Sequence, residues 1–262
     1  CTRSCLGQVI EKVQAGDYMS IAGARSNRGD IYQTLIAMQW ALTVLSDPHF
    51  QWLEIDSTIY RVDDVVVGKS DGSLICCQCK KNQTDFRSWS ISDLAEELDK
   101  ACLELAKHER SEVRFYSRSD FGALNKLREH STLFGNEAEY LANLTGKNTS
   151  TNKDLADRIA TQASGLSTYE FLRRTSFEVT PDFGCIETRL RERSRSMASN
   201  SDAAYDAFWT RLDKLGGRIN SRDLSASSQH CLTKKDLKDV LDHAGSILTP
   251  DMPIEQVRAS FP

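Results

Sequence analysis

The 262-residue sequence lacks most of the signals that would settle its class at once. No window approaches the ~18 uncharged apolar residues that a membrane-spanning helix requires, so no such helix is expected. No basic, apolar, small-residue leader follows the first residue, which is Cys1 rather than Met; we read the chain as a piece of a longer protein. There is no internal repeat and no long low-complexity tract. Hydrophobic and charged fractions of 40 % and 27 % exclude a collagen-like, mucin-like or wholly disordered chain. Charge of one sign is scarce too: 33 basic and 37 acidic side chains leave a formal charge of −4. That balance excludes little, because an acidic chain still binds nucleic acid where its cations cluster.

Three chemistries are also missing. No G-x-x-x-x-G-K-[ST] loop occurs, so nucleotide hydrolysis by that route is not expected. The five histidines (His49, His108, His130, His230 and His243) pair with nothing at metal-ligand spacing. The eight cysteines form no spaced framework, and three of them crowd into Leu74-Ile-Cys-Cys-Gln-Cys-Lys80. That usage fits reduced thiols in a cytosolic protein better than disulfides. Cys76 and Cys79 make a C-x-x-C, but the run reads as a strand, where residues three apart face opposite ways and cannot share a zinc ion.

What is present is an alternation of helices and strands in a chain long enough for one large domain or two small ones. Ile31, Leu35, Met38, Leu42 and Leu45 predict a helix over 31–45, capped by Asp30 and preceded by a basic, flexible stretch, Gly23 to Gly29. Strands are expected at Trp52–Ile55, Thr58–Val62, Asp64–Val67 and Leu74–Lys80, with Ser70-Asp-Gly-Ser73 as a tight turn that makes the last two an antiparallel hairpin. A helix from Ser92 to Lys107 starts at a capping pair, Ser90 and Asp93. A strand over Glu112–Ser117 and a short helix over Phe121–Glu129 complete one α/β layer unit, with a mixed sheet covered by helices. From about residue 132 the chain turns polar and helical. Leu144–Asn152 reads as a loop, and helices are expected at 154–164, 168–175, 183–196, 202–215 and 233–244. A boundary is placed within 132–152.

The hairpin carries the chemistry. Strand alternation puts Leu74, Cys76, Gln78 and Lys80 on one face and Ile75, Cys77 and Cys79 on the other. With Asp64 starting the facing strand, a carboxylate, an amide and an ammonium meet at one end of the hairpin, an expensive arrangement unless something uses it. Phosphodiester hydrolysis uses such a set. Asp64, the Gln78 side-chain oxygen and the Cys79 carbonyl suit a hard divalent cation, and Lys80 suits a water or a phosphate gaining charge. Arg25, Arg28, Lys81, Arg87, Arg114 and Arg118 are the candidates for phosphate contacts. The basic run Arg189–Arg195 reads as a solvated helix face.

These residues resemble the PD-(D/E)xK nuclease superfamily in the variant where Gln replaces the second acid: Asp64, then Gln78-x-Lys80. Gly29-Asp-Ile-Tyr32-Gln33 is similar to the G-x-x-Y-Q helix start of the double-stranded-DNA endonuclease family of bacterial anti-phage effectors. Those nuclease domains are fused to SAVED or STAND NTPase domains, or partnered with a hexameric HerA-type ATPase. Glu54 followed by Asp63-Asp64 resembles the family's strand pair, and Arg114-Phe-Tyr-Ser-Arg-Ser-Asp-Phe121 its strand exit. Phe171-Leu-Arg-Arg174 and the helices after it resemble its helical extension. The resemblance covers most of 23–245, and its specific part is the first hundred residues or so. Asp63 stands where the family usually has Pro, so Asp63 remains the alternative to Asp64 as principal ligand.

The resemblance implies an α/β fold with a restriction-endonuclease-like core, a mixed central sheet flanked by helices, and a C-terminal helical extension. Residues 1–135 would form the nuclease core, and 136–262 the extension and a linker toward a sensor or NTPase part. It implies a cytoplasmic, Mg²⁺- or Mn²⁺-dependent deoxyribonuclease that cleaves double-stranded DNA and is switched on by homo-oligomerisation. Its catalytic residues would be Asp64, Gln78, Lys80 and Glu54, and its metal ligands Asp64, Gln78, Cys79 and Asp63. Gln33 would support the site from its helix. The alternative is a catalytically inactive nuclease-fold module that serves DNA binding or oligomerisation.

Overall fold

The computed structural model describes residues 21–198, 200–216 and 231–245, of which 21–30, 201, 216 and 245 are described by their backbone alone. The chain runs α1 (Ile21–Ser46), β1 (Phe50–Ile55), β2 (Val65–Lys69), β3 (Leu74–Lys80), α2 (Ala95–Lys107), β4 (Glu112–Ser117) and α3 (Gly122–Ser131). It continues through α4 (Glu137–Ala142), α5 (Gly146–Thr161), α6 (Thr168–Arg173), β5 (Thr175–Val179), α7 (Phe183–Arg195), α8 (Ser201–Gly216), β6 (Cys231–Thr233) and α9 (Lys234–Gly245). The six strands form one mixed sheet in the order β5-β4-β3-β2-β1-β6. The β3–β4 and β4–β5 pairs are parallel, and the others are antiparallel. The fold is α/β, a mixed sheet flanked by helices.

The β-branched run of β2 and the apolar run of β3 are buried on both faces, as central strands of a covered sheet must be. Gly72, at φ +80°, makes the turn between them, and Asp71 Oδ1 accepts from both Ser73 N and Ser73 Oγ. Alternation sorts the side chains into two cores. Leu53, Val65, Val67, Ile75, Cys77 and Tyr116 pack with α1, α7, α8 and α9. Val66, Leu74, Cys76, Val113, Phe115 and Phe177 pack with α2, α3, α5 and α6. Cys76 and Cys79 thus face opposite layers, and the six described cysteines are free.

Several expectations need correction. Asp30 does not stand at a helix start: α1 runs unbroken from Ile21, through the stretch expected to be flexible. Glycines cost about 1 kcal/mol each in a helix, which does not stop one anchored by the buried segment from Tyr32 to Val44. Thr58–Val62 is not a strand. The chain turns at Asp56 (φ +49°), Ser57 Oγ accepts from Ile59 N and Tyr60 N, and Arg61 N bonds to Glu104 rather than to a neighbouring strand. Leu144–Asn152 is largely helical, the first part of α5. Its Ser150 and Thr151 hydroxyls bond back to Lys147 O, and Thr151, Leu155 and Ile159 form a buried stripe at steps of four. The helix expected over 168–175 ends at Arg173, and the chain goes straight into β5. Because β5 and β6 pair with β4 and β1, the segments on either side of residue 135 share one sheet.

Candidate active site

The β2–β3 register sets Val65 opposite Cys77, so Asp64 falls opposite Gln78 at the end of the hairpin. Asp64 Oδ2 accepts from Gln78 Nε2 at 2.6 Å and from the Cys79 main-chain N–H at 2.5 Å. The Asp64 carbonyl accepts from Gln33 Nε2 at 2.9 Å, and the same nitrogen donates to Asp56 Oδ1 at 2.5 Å. Burial pushes the Asp64 carboxyl up to about 7. The neighbouring charges of Asp63 and Asp56 push the same way, while the Cys79 N–H and the Lys80 ammonium oppose them. Gln78 is 7 % exposed, and its Oε1 is buried with no hydrogen-bond partner. An acceptor left in that state costs about 1–3 kcal/mol unless a ligand meets it.

Lys80 projects on the same face as Gln78. Its Nζ forms an ion pair with Glu97 in the first turn of α2. Reciprocal bonds between Ser90 and Asp93 fix the approach to α2, with Ser90 N on Asp93 Oδ2 at 3.0 Å and Asp93 N on Ser90 Oγ at 3.2 Å.

The structure brings together Asp64, Gln78, the Cys79 main chain and Lys80, with Gln33 behind them. Glu54 is separate. It is buried on β1 opposite Val66, which stands opposite Cys76, one row deeper than the Asp64–Gln78 pair. That is about 7 Å along the strands, and the charges that bear most on Asp64 are those of Asp63, Asp56 and Lys80. The Asp63 carboxyl is raised by burial and faces the counter-charge of Lys100. The Cys79 thiol packs into the core on the opposite face, so only the main chain of that residue meets the site.

Among the phosphate-contact candidates, Arg118 is at the same end of the sheet. Its N–H bonds to Lys81 O, and its guanidinium lies between the rings of Phe86 and Phe183, 5.1 and 5.2 Å from their centroids. Arg87 is bound by both oxygens of Asp93. Arg114 lies on the other face of the sheet, over Trp40. The side chains of Arg25 and Arg28 lie outside the described residues.

Two neighbours escaped sequence reading. Asp56 reaches Gln33 only through a left-handed backbone turn, and Glu97 arrives from a helix 17 residues after Lys80. The one signal for Glu97 was its place in the first turn, where acids are common for dipole reasons alone. A cavity of about 900 Å³ lies between the start of α2, α3 and α5, and none of these site residues lines it. Among the described residues, no group of three or more His, Cys, Asp or Glu side chains is arranged to hold a metal ion. The set found here is of a different kind: one carboxylate, one orphaned amide oxygen and main chain.

No family model and no curated protein matches the chain. Solved structures do share its α/β fold. The Acinetobacter baumannii Cap4 SAVED/CARF-domain containing receptor with the cyclic trinucleotide 3'3'3'-cAAA superposes with a TM-score of 0.50 at 14 % identity, over 82 % of this chain and 44 % of that one. Another structure of the A. baumannii receptor gives 0.50 at 15 % identity, over 82 % and 46 %. The Moraxella osloensis Cap4 SAVED/CARF-domain containing receptor gives 0.48 at 15 %, over 89 % and 49 %. The chain therefore spans less than half the length of these structures, and at such identities the likeness to the A. baumannii receptor is one of fold.

Proposed function

We propose that the chain is the nuclease module of a bacterial anti-phage effector, a phosphodiester hydrolase acting on double-stranded DNA. The observation that supports this most is the meeting of Asp64, the Gln78 amide, the Cys79 main chain and Lys80 at one end of the hairpin. Asp64, Gln78 Oε1 and the Cys79 carbonyl would hold Mg²⁺ or Mn²⁺, with Asp63 as the alternative carboxylate. The donors fit a hard cation: a carboxylate held part-protonated by burial and a buried amide oxygen with no partner both gain from one. A bound divalent cation supplies charge neutralisation at the phosphate and a more acidic water. Lys80 places an ammonium where the attacked phosphate gains charge, and Glu97 fixes its direction. Gln33 holds the Asp64 main chain and Asp56 in register.

The fold-level likeness to Cap4 receptors, with the motif resemblance across 23–245, supports the defence role and a cytoplasmic setting. Among the described residues, no helix is long and apolar enough to cross a membrane. In this reading a sensor or NTPase part, fused or separate, controls the nuclease by assembling copies on DNA.

The test is cleavage of linear duplex, single-stranded DNA and RNA with Mg²⁺, with Mn²⁺ and with EDTA. We expect duplex cleavage that EDTA abolishes. Asp64→Ala and Lys80→Ala should each lose at least about a thousandfold, or roughly 4 kcal/mol of barrier. A parent chain that cleaves none of the substrates would leave the inactive-module reading in its place, and variants that cleave as well as the parent would place catalysis elsewhere.

A further inference from the structure

We propose a second anion site, built for a phosphoryl group, at the opposite end of the sheet from Lys80. Where β4 and β5 begin, a cavity of about 160 Å³ is lined by Arg128, Arg173, Arg174, Thr175 and Ser176. Thr175 pairs with Val113, and Lys80 pairs with Ser117 four residues further along β4. The two places are therefore about 13 Å apart along the strand, and a phosphate in this cavity is not one being cut at the hairpin.

Arg114 and Glu112 also line the cavity but satisfy each other at 3.2 Å, and Lys69 takes the second Glu112 oxygen at 2.9 Å. The remaining guanidiniums have no such partner. Among the described residues, no carboxylate lies within ion-pair distance of Arg128, Arg173 or Arg174. Main-chain carbonyls anchor two of them: Arg128 Nε donates to Thr175 O at 3.3 Å, and Arg174 Nε to Ser111 O at 3.0 Å. A second Arg174 nitrogen, Nη2, donates to His108 O. These bonds orient the planar groups and leave further N–H donors unused.

Burial lowers the Arg174 pKa, the mark of a cation stripped of water. Thr175 is 2 % exposed, and both its Oγ1 and the Ser176 Oγ are buried without a hydrogen-bond partner. Glu178 also lines the cavity, and the charges of Glu170 and Glu109 reach Arg174 from outside the lining, yet none of these acids forms an ion pair with the three guanidiniums. A tetrahedral oxyanion answers the arginines and Thr175 together, accepting paired N–H groups from arginine and a single bond from the Thr175 hydroxyl, while Ser176 turns to the opposite face with Arg114. The site stands whether or not the far end of the sheet cleaves DNA.

The phosphoryl group can come from a small molecule or from a nucleic-acid end or backbone, and the experiment separates these. Inorganic phosphate, pyrophosphate and AMP are titrated calorimetrically into the chain at ionic strength held constant with KCl. A short duplex with and without a 5′-phosphate is followed by fluorescence anisotropy. Arg173→Ala changes an exposed side chain, and Thr175→Val removes the hydroxyl at constant shape; Arg211→Ala, at an exposed cation on α8, is the control. We expect at least one of these probes to bind the parent chain and the Arg211 variant alike. Its affinity should fall tenfold or more in Arg173→Ala and in Thr175→Val. A preference for the 5′-phosphorylated duplex assigns the site to nucleic acid, and binding of the small probes alone assigns it to a free phosphate compound. No binding by any probe, or equal binding by the two site variants, would overturn the proposal.

Discussion

Replacing Asp64 with Asn should make the protein more stable at neutral pH and abolish its response to divalent metal. Burial lifts the Asp64 carboxyl from 3.8 to about 7, roughly three units. At about 1.4 kcal/mol per unit this amounts to at most about 4 kcal/mol of charge penalty. The residue keeps some contact with solvent, which reduces the expected gain to about 1–3 kcal/mol.

The sign follows from proton binding. The folded chain holds this proton more tightly than the unfolded chain, so stability falls as pH rises from about 4 to 7 and is level above that. Asn carries no titrating proton, and its side-chain oxygen still accepts from the Cys79 N–H. Thermal unfolding of both proteins across pH 4–8 therefore reads the effect directly, other titrating groups cancelling in the difference. The Asn variant's advantage should be smallest near pH 4 and widen toward pH 7, by about 2–4 °C per kcal/mol. Millimolar Mg²⁺ at pH 8 should raise the melting temperature of the parent chain and leave that of the variant unchanged. An advantage that is flat with pH, or that shrinks as pH rises, would refute the assignment of a desolvated, strained carboxylate.

Other outcomes follow from the same geometry. Glu97→Gln frees Lys80 from its ion pair; cleavage should drop tenfold or more while the melting temperature moves by only a few degrees, and single-turnover kinetics read the drop. Glu54→Gln, one row deeper in the sheet, should change cleavage less than tenfold in the same assay. Gln33→Ala removes two hydrogen bonds, to Asp56 and to the Asp64 carbonyl, and should cost about 1–3 kcal/mol in urea unfolding. Gly68→Ala places a Cβ 2.1 Å from the Trp52 indole and should cost about 1–3 kcal/mol through overpacking, seen as a lower urea midpoint with an unchanged slope.

Much of the sheet was legible because its strands are bounded apolar runs. Leu74–Lys80 and Glu112–Ser117 appear in the structure with the expected limits, and the turn at Ser70–Ser73 closes the expected hairpin. The meeting of Asp64, Gln78 and Lys80 was legible for the same reason, since a period of two fixes which side chains share a face. What lay beyond the strands was harder to read. Thr58–Val62 has strand composition, but its backbone groups are taken by Ser57 and Glu104. The first half of α5 is Thr-, Asn- and Ser-rich, and two of its hydroxyls bond back to a helix carbonyl instead of drawing the backbone into a loop. The strand β5 follows α6 with one residue between them, so helix and strand merge into one apolar pattern. Asp56 and Glu97 reach the site only through tertiary packing, from the end of β1 and from α2, and no local pattern marks them.

The most direct measurement is a crystal grown with Mn²⁺ and examined by anomalous scattering, for the parent chain and for Asp64→Asn. We expect a manganese peak in the parent protein within coordination distance of the Asp64 carboxylate and Gln78 Oε1, lost in the variant. Saturating Mn²⁺ with no peak at that position, or a peak that survives the substitution, would contradict the claim that this end of the hairpin seats a catalytic cation.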